Sequence, residues 1–292
     1  IRGAPPPSSG GAGIIQMLNM LEGTDYAFSG TGSASSIHYV AEVMRRFFAD
    51  RAEHFGDADF ADVPIKRLIA KTYAARRRST IRPDGVTPSE DIQPGRPDGH
   101  ESPNTTHYSI VDAEGNAVAV TYTLNGLYGS GVTARGTGVL LNNIMDDFTS
   151  KPGEPNMFGL LQSDKNAIEP SKRPLSAMTP TILSRGGELF MVVGAPGGPT
   201  IISTVLQIIT NVADFNMDLQ QAVDFPRFHH QWMPDELRME DGFSPRTIEG
   251  LKKRGHAIKF VRPMGRAMAI RRDGDWLVGA GRSGRGHDKL CG

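Results

Sequence analysis

Between Ser79 and Asn104 the chain carries five Pro and three Gly among many Asp, Glu and Arg, with almost nothing apolar. A segment of about 25 such residues buries too little surface to offset the entropy of ordering, and it reads as a mobile linker. The hydrophobic period differs on its two sides. Upstream, Ile14 to Glu22 and Ile65 to Arg77 are helical in pattern. Ala34 to Phe55 is the clearest helix, with Ile37, Val40, Ala41, Met44, Phe47 and Phe48 at spacings of three and four. Glu42, Arg45, Arg46 and Asp50 fall on its other, polar face, and Gly56-Asp57 stops it. Downstream, Thr106 to Asp112 and Ala117 to Leu124 flank Glu114-Gly115-Asn116, which predicts a β-hairpin. Further strands are expected at Gly138 to Leu141, Thr179 to Ser184, Leu189 to Val193, Ala267 to Arg271 and Asp275 to Gly279. Helices are expected over Thr200 to Val212 and Leu219 to Asp224. Helices first, then a β-rich layer flanked by helices, describe an α/β sandwich.

A length of 292 residues suffices for one large domain or two ordinary ones. Lys plus Arg equals Asp plus Glu at 32 each, which removes the basic surplus that a general nucleic-acid binder needs. The single Cys291 can form neither an internal disulfide nor a Cys-based zinc site. No apolar run approaches the roughly 20 residues of a membrane span. His229 and His230 are adjacent, so their side chains diverge, and no carboxylate triad accompanies them; no metal is expected. The chain opens at Ile1 without a basic and apolar leader, and is expected either to have lost a processed segment or to start inside a longer gene product. Gly281 to Gly292 reads as a solvated tail.

Where the linker meets the first strand stands Asn104-Thr105-Thr106-His107. A mobile segment ending at a hydroxyl residue on a strand edge suits self-cleavage. The Thr105 hydroxyl would attack the Asn104 carbonyl, an N-to-O acyl shift would follow, and water would hydrolyse the ester. The freed Thr105 would then hold nucleophile and base on one residue, because an α-amine of pKa about 8 can take the hydroxyl proton near neutral pH. A Thr pair ahead of a strand also arises from β-propensity alone, so the pair by itself does not decide between the two.

Longer blocks do. From Thr105 the chain runs Thr-Thr-His-Tyr-Ser-Ile, then Gly-Asn-Ala-Val-Ala-Val-Thr-Tyr-Thr-Leu-Asn and Tyr-Gly. This resembles the signature of the γ-glutamyltranspeptidase family of N-terminal-nucleophile hydrolases. Leu-Leu-Asn-Asn-Ile-Met-Asp-Asp-Phe (140–148), Lys-Arg-Pro-Leu-Ser-Ala-Met-Thr-Pro (172–180), Gly-Ala-Pro-Gly-Gly (194–198) and Pro-Arg-Phe-His-His-Gln-Trp (226–232) are similar to family blocks in family order. Pro-Pro-Pro-Ser-Ser-Gly-Gly (5–11) and Phe-Ala-Asp-Arg-Ala-Glu-His-Phe-Gly-Asp (48–57) resemble the end of the family's large subunit. The resemblance implies an α+β fold, a four-layer αββα sandwich incomplete on its N-terminal side. Residues 1–104 would be the C-terminal part of a large subunit and 105–292 the small, catalytic one, the two associating after cleavage between Asn104 and Thr105. It also implies a periplasmic or extracellular location and no cofactor.

The same resemblance implies roles residue by residue. Thr105 falls on the nucleophile and Thr123 on a Thr that bonds to it. Asn125 and Asp147 fall on positions holding the substrate α-amino group, where a carboxylate offsets the desolvation of an ammonium. Ser176, followed by Ala177, falls on the α-carboxylate position, and Gly197 and Gly198 on the oxyanion hole, where N–H groups free of Cβ can approach a developing charge. Three positions depart from the pattern: Ile144 replaces a polar contact to the amine, Ala177 replaces a second Ser, and Phe158 stands where some bacterial members have a lid Tyr. The family's large subunit supplies an Arg for the substrate carboxylate, and no Arg in 1–104 lies in the matching context. The implied reaction is ping-pong transfer of a γ-glutamyl group, from glutathione or a related compound, to water, an amino acid or a dipeptide. Two alternatives remain: a same-fold amidase with another acyl group (a glutaryl-type cephalosporin acylase or a poly-γ-glutamate-processing enzyme), and a truncated, non-catalytic remnant.

Overall fold

The computed structural model describes residues 1–92, 105–149, 151, 154 and 156–283. β1 (Arg2–Gly3) leads into α1 (Gly10–Leu21), α2 (Ala34–His54), α3 (Ile65–Leu68) and α4 (Lys71–Arg78). The hairpin of β2 (Thr105–Val111) and β3 (Ala117–Thr123) follows. Then come β4 (Thr181–Arg185), β5 (Glu188–Gly194), α5 (Thr200–Ala213), α6 (Leu219–Asp224), β6 (Phe228–His229) and β7 (Leu237–Met239). α7 (Pro245–Lys253), β8 (Ile258–Phe260), β9 (Met268–Asp273) and β10 (Trp276–Gly281) close the described chain. Helix and sheet are mixed as an α+β fold requires.

An antiparallel five-stranded sheet runs β1-β4-β5-β9-β10, and a three-stranded one runs β6-β7-β8 with β7 and β8 parallel. The hairpin β2–β3 packs on β5 and β9. Its turn explains its register. Asp112 accepts hydrogen bonds from Asn116 N and Asn116 Nδ2, both at 2.8 Å, and Gly115 takes the positive φ the turn needs. Thr105 is thereby set opposite Thr123; a one-residue slip would turn Thr105 away. Along β5, alternate residues face alternate sides. Gly194 meets the His107 ring of the hairpin so closely that a Cβ there would lie 2.2 Å from it. Met191 and Val193 join the core that includes Ile201, Ile202 and Val205 of α5. Residues 1–92 share this core, and β1 pairs with β4.

Several expectations are corrected. Glu42, Arg45, Arg46 and Asp50 are buried rather than solvated: Glu42 takes Arg45 at 2.5 Å and Arg46 at 2.7 Å on its two oxygens. Burial pushes the Glu42 carboxyl up, but the two guanidinium groups outweigh it and hold it near 2. Residues 79–92 are docked rather than mobile. Ser89 and Ile92 are buried, and Ser89 Oγ donates to the Trp232 carbonyl while Arg45 donates to Ser89 Oγ. The start of the expected tail is held in place, with Gly281 ending β10, Arg282 pairing with Glu240 and Ser283 bonding to Asp224; the rest of it, 284–292 with Cys291, and the rest of the linker, 93–104 with Asn104, lie outside the described residues. The helix expected over Ile65 to Arg77 breaks at Ala70, whose backbone is extended. Gly138 to Leu141 makes one isolated bridge, Thr133 to Leu140, instead of a strand. Sheet β6-β7-β8 and α7 were not expected at all. Among the described residues no helix is long and apolar enough to cross a membrane.

Candidate active site

β2 begins at Thr105, and β3 ends at its partner Thr123. Thr105 Oγ1 donates to Thr123 Oγ1 at 3.4 Å, and Thr123 Oγ1 also accepts from Asn125 N at 2.8 Å. Asn125 is 3% exposed with φ of 71°, a conformation Asn tolerates better than most residues. Its Nδ2 donates to the Asn143 carbonyl at 3.3 Å. Asn143 Oδ1 in turn accepts from Gly126 N at 2.7 Å, which ties the end of the hairpin to the 3-10 turn Ile144–Asp147.

That turn delivers Asp147, which lines one pocket with Thr105, Thr123, Asn125, Ser176, Ala177 and Gly198. Asp147 forms no ion pair among the described residues. Burial pushes its carboxyl up to about 7, nearby Arg51 opposes the rise and Asp146 adds to it. Ile144 sits in the same turn with no polar atom to offer on its side chain.

Ser176 is placed by the upstream end of the chain. It bridges Ser8 in parallel, its N–H donates to the Pro7 carbonyl at 3.0 Å, and its carbonyl accepts from Ser9 N and Ser9 Oγ, both at 2.9 Å. Ser9 Oγ also accepts from Arg51 Nε at 2.9 Å. Arg51, on α2, is the site residue that sequence reasoning missed. It is 1% exposed and lines the pocket, and its Nη1 is buried with no hydrogen-bond partner. Burial lowers its pKa to about 10, against a favourable effect of Asp147. A cation within the block Phe-Ala-Asp-Arg was the available signal, but helical periodicity alone assigned it no role.

Gly197 and Gly198 lie between β5 and α5 with φ of 136° and 54°. Among the described residues neither N–H donates a hydrogen bond, so both remain available to an incoming oxygen. A Cβ on Gly197 would lie 2.4 Å from Thr200 Oγ1, and one on Gly198 would lie 3.0 Å from the Phe158 ring. Phe158 thus stands over Gly198 in the wall of the pocket, which leaves about 30 Å³ of space. The two candidate metal residues are engaged elsewhere. His229 bonds to Ser203 and Gln231, and His230 to Asp235 and Trp232.

A strand-edge hydroxyl, two amides that donate to no described group and a half-buried carboxyl thus lie close together in the fold. The profile of the family described as Gamma-glutamyltranspeptidase matches residues 1–290, and the chain belongs to that family. It is 49% identical over 266 residues to a glutathione hydrolase proenzyme of Escherichia coli strain K12, covering 91% of this chain and 46% of that protein. An acivicin-inhibited gamma-glutamyltranspeptidase, in a structure assigning its C-terminus roles in autoprocessing and catalysis, is 50% identical. It superposes with a TM-score of 0.60 over 61% of this chain and 97% of that one. A cephalosporin acylase from Bacillus halodurans is 25% identical, with a TM-score of 0.79 over 96% of this chain and 48% of that one. The chain spans about half the length of the curated relative it matches.

Proposed function

We propose that Thr105 is the nucleophile of a self-processing γ-glutamyl transferase and hydrolase. The observation that carries this reading is the convergence of Thr105, Asp147 and Arg51 in one pocket, where Asp147 forms no ion pair among the described residues and Nη1 of Arg51 has no hydrogen-bond partner. Cleavage between Asn104 and Thr105 would free the α-amine. That amine takes the Thr105 hydroxyl proton as Oγ attacks the γ-glutamyl amide of glutathione or a related compound. Gly197 and Gly198 N–H groups hold the tetrahedral oxyanion, and Thr123 orients Oγ. The amine leaves with a proton; water or an amino acid or dipeptide then resolves the acyl-enzyme. No cofactor takes part.

The pocket suits a zwitterion. Asp147, Asn125 and neighbouring carbonyls receive the α-ammonium; Ser176 and the free Nη1 of Arg51 receive the α-carboxylate, compensating for Ala177. Phe158 must swing off Gly198 to admit the substrate. The complete assembly is a four-layer αββα sandwich, in which residues 1–104 stay bound to 105–292 through β1, Ser8 and Ser9. A periplasmic or extracellular location belongs to the same reading.

The test is release of p-nitroaniline from γ-glutamyl and glutaryl anilides. The two differ only in the amine that Asp147 is read to hold. Preference for γ-glutamyl supports the reading, whereas preference for glutaryl moves the protein to the acylases. Release from neither, with an intact chain, favours a non-catalytic remnant.

A further inference from the structure

We infer that Gln231, which does not itself line the acyl pocket, is a positioning residue for it: its side-chain amide pins the backbone of Phe158 and so limits the size of the acyl group admitted. The inference rests on the acyl-transfer reading above.

Gln231 follows β6 and is 3% exposed. Its Nε2 donates to the Phe158 and Gly159 carbonyls, both at 3.2 Å. Carbonyls only accept, so the amide must direct its NH2 toward them and its Oε1 toward His229 Nε2, 3.0 Å away. Oε1 also only accepts, so His229 carries its proton on Nε2. Burial pushes the pKa of this ring down to about 3, which keeps it neutral and leaves Nδ1 without a proton. Nδ1 therefore accepts from Ser203 Oγ on α5 at 2.8 Å. Each partner fixes the next, from α5 through His229 to the segment that carries Phe158. The Phe48 ring of α2 packs edge to face on His229 with centroids 5.5 Å apart, so α2 braces the relay as well.

The amide side of Phe158 is tied too. Its N–H donates to Asn156 Oδ1 at 3.0 Å, the Leu160 N–H donates to the same oxygen at 3.2 Å, and Gly159 N donates to the Asn156 carbonyl at 2.9 Å. With N–H and carbonyl both engaged, Phe158 can turn its ring but not shift its backbone. That ring faces Gly198, whose N–H is read to hold the oxyanion, so it borders the acyl carbon. A wall held by a buried network excludes a substituent beside that carbon, and a wall released from it yields.

The test compares γ-glutamyl-p-nitroanilide with its 4-methyl analogue, which adds one methyl beside the acyl carbon and keeps the ammonium and carboxylate. Gln231→Met is similar in length and cannot donate. It is expected to lower the preference for the parent donor, as a ratio of kcat/KM values, about fivefold to tenfold, the effect of two lost hydrogen bonds. In a Phe158→Ala background the same substitution should move the ratio by less than about twofold, because no ring remains to be placed. An equal fall in both backgrounds, or none in either, overturns the inference. Failure of the γ-glutamyl reading shows separately, as no nitroaniline release by the unsubstituted protein. Hydrogen–deuterium exchange then reads the relay without turnover. Gln231→Met should speed exchange of the amides at 158–160 by about tenfold while α5 stays protected. Unchanged exchange at 158–160, or an equal loss of protection in α5, refutes it.

Discussion

Thr105 and Thr123 face each other across the open end of the hairpin, with Oγ1 atoms 3.4 Å apart. Because Thr123 Oγ1 also accepts from Asn125 N, its lone pairs are fixed in direction and it holds the Thr105 hydroxyl in one rotamer. Thr123→Ala should therefore slow processing and turnover by roughly tenfold to a hundredfold, the loss of one or two hydrogen bonds in the reacting state. Thr123→Ser should keep most of the rate. A melting temperature equal to that of the unsubstituted protein would separate this effect from misfolding.

Asp147 makes stability and binding respond oppositely to pH. Its folded carboxyl titrates at about 7, raised by burial, whereas in the unfolded chain it titrates near 4. The folded state thus holds a proton that the unfolded state has released. The group's contribution to stability is full below about pH 4 and is lost as pH rises through about 7. The difference in stability between the unsubstituted protein and Asp147→Asn should follow that course in denaturant titrations. Ammonium binding needs the ionised form, so KM for a γ-glutamyl donor should fall as pH rises through 7. A rising KM would count against the amine-binding role.

Arg51 couples to both groups. Arg51→Met removes the guanidinium that opposes the rise at Asp147, so the Asp147 titration should move further up. It also removes the cation proposed for the α-carboxylate, and KM should rise by about tenfold or more for a donor that carries this group, as expected for a charged hydrogen bond. A donor lacking the α-carboxylate should be affected far less. Equal losses on both donors would show that Arg51 acts only through packing against Ser9.

Gly197→Ala should be costly for backbone and neighbour together. A φ of 136° is strained for any L side chain, and the new methyl would strike Thr200 Oγ1 at 2.4 Å. A stability loss of about 1–3 kcal/mol is expected from the strain, accompanied by a fall in kcat through displaced amides. Phe158→Ala tests the same wall from the other side. It should enlarge the pocket and lower KM for bulky acyl groups, and unchanged kinetics would mean that Phe158 already moves freely.

Much of this was legible in residues whose local pattern agrees with their tertiary role. The hairpin was readable because alternation, Gly115 and Asn116 all point to one turn. α2 was readable because its apolar spacing spans five turns, although its polar face proved buried, since Glu42 is neutralised by Arg45 and Arg46 rather than by water. α1 starts at Gly10 rather than Ile14: glycines are poor helix formers, yet Gly13 lets α1 close on Phe47, a contact no local signal announces. β6, β7 and β8 are two or three residues each, with one parallel pairing across α7, so only the folded core selects them. For α7 a cue existed in Ser244-Pro245, an N-cap followed by Pro at the first turn. The family blocks singled out Thr105, Asp147 and the Gly197–Gly198 turn, which the fold brings to two adjoining cavities. Arg51 emerged only when α2 was set against Ser9 and Ser176.

The central claim is that Thr105 cuts the chain before itself. Intact-mass spectrometry of the purified protein beside Thr105→Ala tests it most directly. The account predicts two fragments, residues 1–104 and 105–292, in the unsubstituted protein and a single uncut chain in the variant. One uncut 31.6 kDa chain in both, or the same two fragments in both, would contradict it.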